Sequence, residues 1–268
     1  MNKEIPIHER RLVYQIPGMD KVEVQRDLTY KNVEGTELKL DIYTPANLPG
    51  DTRLPGVVFI HGGPIPSNMP LPTHWGQYRS WGELIAASGL VGVPLCHRYH
   101  DYTHLEQASS DVVAAVGYVR EHADIFNLDP DRLCLWTCSG GGPFLSFAVR
   151  DRPAFVRCIV IYYAILDLRP IERISKVVSS ETLEKFSPAA YLGSNISFET
   201  PTFIARAGLD NPQLNQTIDL FIREALAINA PLDFANHAQG HHAFDILDNN
   251  ARSHQFSART IEFIKANV

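Results

Sequence analysis

Four cysteines are all that 268 residues contain, and no two of them form a Cys-x-x-Cys pair. Cys96, Cys134, Cys138 and Cys158 therefore give no disulfide framework, and no Cys/His spacing marks a zinc site. Three lie in apolar runs and Cys138 directly follows one. The expectation is four buried free thiols, which suits a reducing compartment such as the cytoplasm. No apolar run approaches the ~18 residues that a membrane span needs. The opening stretch MNKEIPIHERRLVYQ has no apolar h-region, so no secretory signal is expected. Positive charge is not in excess either: 24 Lys and Arg against 30 Asp and Glu leave a net charge of -6. A mildly acidic chain has no long-range attraction for phosphate backbones, so nucleic acid is not an expected partner.

What is present is an ordinary globular composition, 45% hydrophobic and 20% charged. Residues 1–20 are polar and irregular and read as an N-terminal arm. Residues 21–268 read as one domain. Within it, Val22–Tyr30 and Thr36–Tyr43 alternate and flank the turn Asn32–Gly35, the pattern of an antiparallel hairpin. Alternation then stops. Pro55–Ile60, Leu90–Leu95, Arg132–Trp136, Val156–Tyr162 and Thr202–Arg206 are continuous apolar runs, as expected of parallel strands covered on both faces. The segments between them have helical spacing: Leu105, Ala108, Val112, Val116 and Val119, then Leu214, Ile218, Phe221 and Ala225. Ser257–Ala266 reads as a C-terminal helix. This alternation predicts an α/β fold, a mostly parallel sheet with helices on both faces. The stretch 168–201 interrupts it, with Pro170, Pro188 and Gly193, and reads as a small lid-like insertion.

The chemistry concentrates where apolar runs end. Leu133-Cys-Leu-Trp-Thr-Cys-Ser-Gly-Gly-Gly-Pro143 takes a strand straight into a Gly-rich turn with Ser139 at its apex. Such a turn lifts a nucleophile off the sheet edge, and the usual pattern is G-x-S-x-G. Gly141 fits that pattern, but Thr137 stands where Gly is usual. Our preferred account of this departure is that Gly140, Gly141 and Gly142 relax the turn. The rival account is that the Thr137 hydroxyl bonds a nearby backbone group and holds the turn. Upstream, Val57–Ile60 ends in His61-Gly62-Gly63-Pro64. The N–H groups of Gly62 and Gly63, with that of Gly140, can stabilise an oxyanion, whereas Pro64 has no N–H. Asp210 follows one apolar run. His242 follows the last, Pro231–Phe234, in His241-His-Ala-Phe-Asp245. Sheets of this kind place their sites at the carboxyl ends of the strands. The catalytic candidates, in chain order, are thus Ser139, Asp210 and His242.

Taken together, His61-Gly62-Gly63, Asp129-Pro-Asp-Arg132, Ser139–Gly142, Gly208-Leu-Asp210, Phe186-Ser-Pro-Ala-Ala-Tyr191 and His242-Ala-Phe244 resemble the esterase/lipase branch of the α/β-hydrolase superfamily, including the hormone-sensitive-lipase-like carboxylesterases. The resemblance implies an α/β-hydrolase fold and a serine esterase that cleaves a small-molecule carboxylic ester without a cofactor. It makes Ser139 the nucleophile, His242 the base and Asp210 the acid, with Gly62, Gly63 and Gly140 as the oxyanion hole. Thr137, Pro64 and Ala243 depart from the pattern. Cys138 as nucleophile, His241 as base and Asp167 as acid stand as alternatives inside the site. The loop His97–His104 holds three histidines and an aspartate at no familiar metal spacing. It reads as pocket lining, with Arg98 as a structural donor. Two rival readings of the whole chain are an amide or peptide hydrolase of the same fold and a non-catalytic ligand-binding relative. Self-association is left open.

Overall fold

The computed structural model of the chain describes residues 5–193 and 197–268. The first four residues of the expected arm and three residues of the expected insertion, 194–196, lie outside the described residues. β1 (Glu23–Val33) and β2 (Thr36–Thr44) pair antiparallel. Glu34 and Gly35 between them both have positive φ, the backbone twist that suits a two-residue hairpin turn. Then come β3 (Leu54–Ile60), β4 (Val91–Leu95), β5 (Leu128–Cys138), β6 (Val156–Tyr162), β7 (Thr202–Ala207) and β8 (Leu232–His237). The eight form one sheet in the order β1-β2-β4-β3-β5-β6-β7-β8, parallel from β4 to β8. The helices are α1 (Gly76–Ala87), α2 (Leu105–Glu121), α3 (Ser146–Asp151), α4 (Glu172–Ser175), α5 (Ser180–Lys185), α6 (Pro212–Ala227), α7 (Phe244–Leu247) and α8 (Ala251–Asn267).

The unbroken apolar runs now have their explanation. Successive side chains of a strand point to opposite faces, and here both faces are dry. Val58, Ile60, Leu133, Leu135, Ile159 and Ile161 share one core with Val112 of α2 and Phe221 of α6. Val57, Phe59, Cys134, Trp136, Cys158 and Val160 share the other with Trp81 of α1 and Phe256 of α8. All four cysteines are free and buried.

α1 has no counterpart in the sequence reading. Nine of its twelve residues are buried, Gln77, Tyr78 and Ser80 among them, so no polar stripe marks it as a helix. α8 begins at Ala251 rather than Ser257, because the Asn250 side chain accepts the N–H groups of Arg252 and Ser253 and caps it there. The irregular residues 5–20 are packed against α1: Leu12 and Met19 are buried, and the Leu12 N–H donates to Ser80 Oγ. Of the expected insertion, the described residues hold α4 and α5. Asp111 of α2 receives two hydrogen bonds from the Arg98 guanidinium, and this pair anchors the loop after β4.

The ends of β3 and β4 are locked by a histidine pair. His61 and His97 lie with ring centroids 3.5 Å apart and planes within 2°. The His97 N–H donates to His61 Nε2, and His97 Nε2–H donates to the His61 carbonyl, each at 3.2 Å. That leaves His61 Nδ1–H for the Gly62 carbonyl. Burial pushes the His61 pKa down to about 4 and that of His97 well below its ordinary value. The other histidines of this loop point elsewhere. His100 Nδ1 meets the Ile65 carbonyl at 2.9 Å, and His104 pairs with Asp101. Among the described residues no cluster of three potential ligands could hold a metal ion.

Two measurements check this account. A Cβ on Gly82 of α1 would lie 2.5 Å from the Tyr43 ring, whereas one on Gly117 of α2 meets nothing within 4 Å. Gly117→Ala should therefore stabilise by about 0.5–1 kcal/mol, the ordinary helix gain. Gly82→Ala should destabilise by roughly 1–3 kcal/mol through overpacking. Urea midpoints of the two variants should move in opposite directions. The second check is pH. The unfolded histidines take up protons first as pH falls, so the neutral stack contributes fully above about 6.5 and is lost towards about 4. Unfolding free energy should fall through that window, and more shallowly in His97→Phe.

Candidate active site

β5 runs into Ser139 with φ at +53°, a left-handed backbone that a non-glycine residue adopts only when its surroundings impose it. The surroundings are backbone. The Ser139 carbonyl accepts the Ile165 N–H at 2.9 Å. A Cβ on Gly140 would lie 1.9 Å from the Gly63 carbonyl oxygen, and one on Gly142 1.9 Å from that of Ile165. The three glycines thus give the turn no slack, and the preferred account of Thr137 is corrected. Thr137 Oγ1 donates to the Ile60 carbonyl at 3.1 Å and sits where a Gly141 Cβ would be, 2.4 Å away. Its hydroxyl ties the elbow strand to β3, and Gly141 makes the room for it. No helical or positive-φ demand falls on Thr137, which is the penultimate residue of β5.

Ser139 Oγ lies 2.8 Å from His242 Nε2, and His242 Nδ1 lies 2.6 Å from Asp210 Oδ2. The loops that carry Asp210 and His242 are tied to each other. The Gly208 N–H donates to the His237 carbonyl and the Leu209 N–H to the Gly240 carbonyl, at 2.8 and 2.9 Å. The Asp210 side chain is 4% exposed and faces the imidazole. The set can move the Ser139 proton to Nε2 while Asp210 holds Nδ1–H and balances the imidazolium.

Of the alternatives, His241 and Asp167 are not brought to the site, and Cys138, which borders the apolar cleft, has its thiol against Tyr78 Oη at 3.4 Å. His241 turns outward and binds both carboxylate oxygens of Asp248 through its N–H and Nδ1. Asp167 is held by the Arg169 guanidinium. Burial raises the Cys138 thiol pKa to about 12, where it is no nucleophile at neutral pH.

Of the expected oxyanion donors, Gly62 is corrected. Its N–H donates to Tyr78 Oη at 3.0 Å and is no longer free. The acceptor belongs to α1, the helix without a sequence signature. Gly63 and Gly140 keep N–H groups that meet no protein acceptor among the described residues, and both border the cleft beside Ser139.

Sequence reading also missed Asp245. It is buried beneath His242 and receives hydrogen bonds from Gln77 Nε2 at 2.8 Å, from Trp81 Nε1 at 3.0 Å and from the Tyr163 hydroxyl. Burial pushes its carboxyl pKa up, and the three donors pull it back. Tyr163 in turn sets its ring against His242, centroids 4.9 Å apart at 60°. Asp245 stands three residues after His242, but nothing in the sequence shows its donors.

Two clefts of about 440 Å³ each meet at Gly63, Pro64, Ser139 and His242. One is walled by Tyr102, Ile165, Ile171, Arg173, Gln213 and Leu214. The other is mainly apolar, with Ile7, Ile65, Trp75, Ile246 and Leu247.

Comparison with known proteins bears on the fold and the family. The BD-FAE family profile matches residues 40–207. Carboxylesterase 1E of Rattus norvegicus is 32% identical over 127 residues, 42% of this chain and 20% of its own length. Dipeptidyl-peptidase 4 of Giardia intestinalis is 27% identical over 185 residues, 64% of this chain and 21% of its own. The chain thus spans about a fifth of the length of these curated relatives. Among solved structures, esterase 2 of Thermogutta terrifontis superposes in its apo form with a TM-score of 0.74 at 22% identity, covering 95% of this chain and 97% of that one. Its propionate-bound form gives 0.73 at 22%, covering 94% and 97%. The fold is that of an α/β-hydrolase, and the chain belongs to the BD-FAE family, within the esterase/lipase superfamily of that fold.

Proposed function

We propose that the protein is a carboxylic ester hydrolase that works through an acyl-enzyme on Ser139. The observation that carries this reading is the hydrogen-bonded line from Ser139 Oγ through His242 to Asp210, set where two clefts meet. Ser139 Oγ attacks the ester carbonyl carbon and passes its proton to His242 Nε2. The carbonyl oxygen becomes an anion, which the N–H groups of Gly63 and Gly140 receive. As the tetrahedral intermediate collapses, the bond to the alcohol oxygen breaks and His242 returns the proton to it. A water then attacks the acyl-enzyme, giving its proton to His242, and Ser139 leaves with that proton as the carboxylic acid departs. The groups that act on the ester and the water in these steps are side chains or amides of the chain itself. The relatives named as carboxylesterases support an ester over an amide. The Giardia peptidase supports the amide reading, and peptide anilides run beside esters decide between the two. The four free, buried thiols support a reducing compartment.

Ser139→Ala should abolish both ester turnover and labelling by a fluorophosphonate, with an unchanged urea midpoint. Asp210→Asn should lower kcat by up to about 10⁴, because Asn supports the wrong imidazole tautomer and carries no charge. His241→Ala should keep its turnover. Full activity in Ser139→Ala would overturn the assignment.

A further inference from the structure

The two clefts differ in one respect that an ester hydrolase needs explained. The cleft lined by Ile7 and Trp75 holds no Lys, Arg, Asp or Glu side chain, whereas the opposite cleft holds Arg173 and, at its border with the centre, Asp210. Arg173 comes from α4, in the segment that interrupts the strand–helix alternation. Its Nη2 donates to Tyr102 Oη at 3.3 Å, and the guanidinium carbon lies 5.9 Å from that ring's centroid. Among the described residues it has no carboxylate partner and no second hydrogen bond. A guanidinium has five N–H donors in a planar fork shaped for two oxygens, so most of that capacity is unused.

The acids nearby are already held. Asp210 is bound to His242, Asp101 to Thr103 and His104, and Glu172 to Lys176. The rest of the wall suits an organic spacer. Ile165, Ile171 and Leu214 are apolar, and Asn211 and Gln213 are neutral. A cavity of about 440 Å³ falls within the range of small-molecule sites.

We infer that the Arg173 cleft receives the half of the ester that carries a carboxylate, with Arg173 as the residue that selects it. This rests on the ester-hydrolase reading and adds the substrate class to it: a monoester of a dicarboxylic acid, or an ester whose alcohol part bears a carboxylate. The neutral half lies in the apolar cleft. Arg173 touches the remote end of the substrate and takes no part in bond making.

The test compares anionic esters with neutral partners of similar size. Mono-4-nitrophenyl glutarate against 4-nitrophenyl valerate places the charge on the acyl side. 4-Butyryloxybenzoate against 4-butyryloxybenzamide places it on the alcohol side. Wild type should prefer the anionic member of one pair in kcat/KM. Arg173→Gln should cut that preference about ten-fold or more, the weight of one charge-assisted hydrogen bond. Arg173→Glu should invert it. In wild type the preference should shrink as NaCl is raised, since an exposed ion pair is screened. Fluorophosphonate labelling of Ser139 reports that each variant is folded.

Turnover of the neutral esters with no anionic preference, or with a preference that Arg173→Gln leaves in place, overturns the inference and leaves the hydrolase reading intact. No turnover of any ester and no labelling in wild type removes the hydrolase reading, and this inference with it.

Discussion

The structure turns on how closely two strand ends approach each other. The loop after β3 and the turn after β5 touch backbone to backbone, with Gly140 against the Gly63 carbonyl and Thr137 Oγ1 bonded to the Ile60 carbonyl. This contact holds Ser139 at a positive φ that would cost about 1–3 kcal/mol in a free chain. The strain persists because neighbours on each side are fixed independently. The His61–His97 stack fixes the β3 end, and the Ile165 N–H fixes the Ser139 carbonyl. Loosening of either loop would let Ser139 relax to a common conformation and swing Oγ away from His242.

Asp210 and Asp245 show how position divides the work between two carboxylates. Asp210 has one side-chain partner, the imidazole, and is aligned to balance charge on it. Asp245 has three side-chain donors from α1 and the end of β6, and its carbonyl accepts the Val13 N–H. It therefore joins the N-terminal segment, α1 and the histidine loop at one buried point. Removing a partner from such a network leaves a buried polar group unpaired, which costs about 1–3 kcal/mol or more.

What could be read from the sequence follows from what side-chain pattern reports. The parallel strands were visible because burial on both faces leaves runs such as Val57-Val-Phe-Ile60 free of polar residues. Ser139, Asp210 and His242 were visible because each follows such a run, and the structure brings all three within hydrogen-bond distance. α1 was hidden for the opposite reason. Its polar residues point inward, so Gln77 and Tyr78 carry no periodic signature, and the loss of the Gly62 N–H to Tyr78 went unseen with it. Thr137 misleads in the sequence because three adjacent glycines look like freedom. In the fold all three are closed in: Gly140 by the Gly63 carbonyl, Gly141 by Thr137 Oγ1 and the His61 carbonyl, and Gly142 by the Ile165 carbonyl.

The two clefts share only Gly63, Pro64, Ser139 and His242, and otherwise draw on separate parts of the chain. One is walled by residues 7, 65, 75, 246 and 247, the other by residues 102, 171, 173, 213 and 214. Changes on one side need not disturb the other, since distant substitutions without common partners act additively. The architecture is therefore modular: under the proposed ester reading, the fit to each half of a substrate can be altered one side at a time around an unaltered centre.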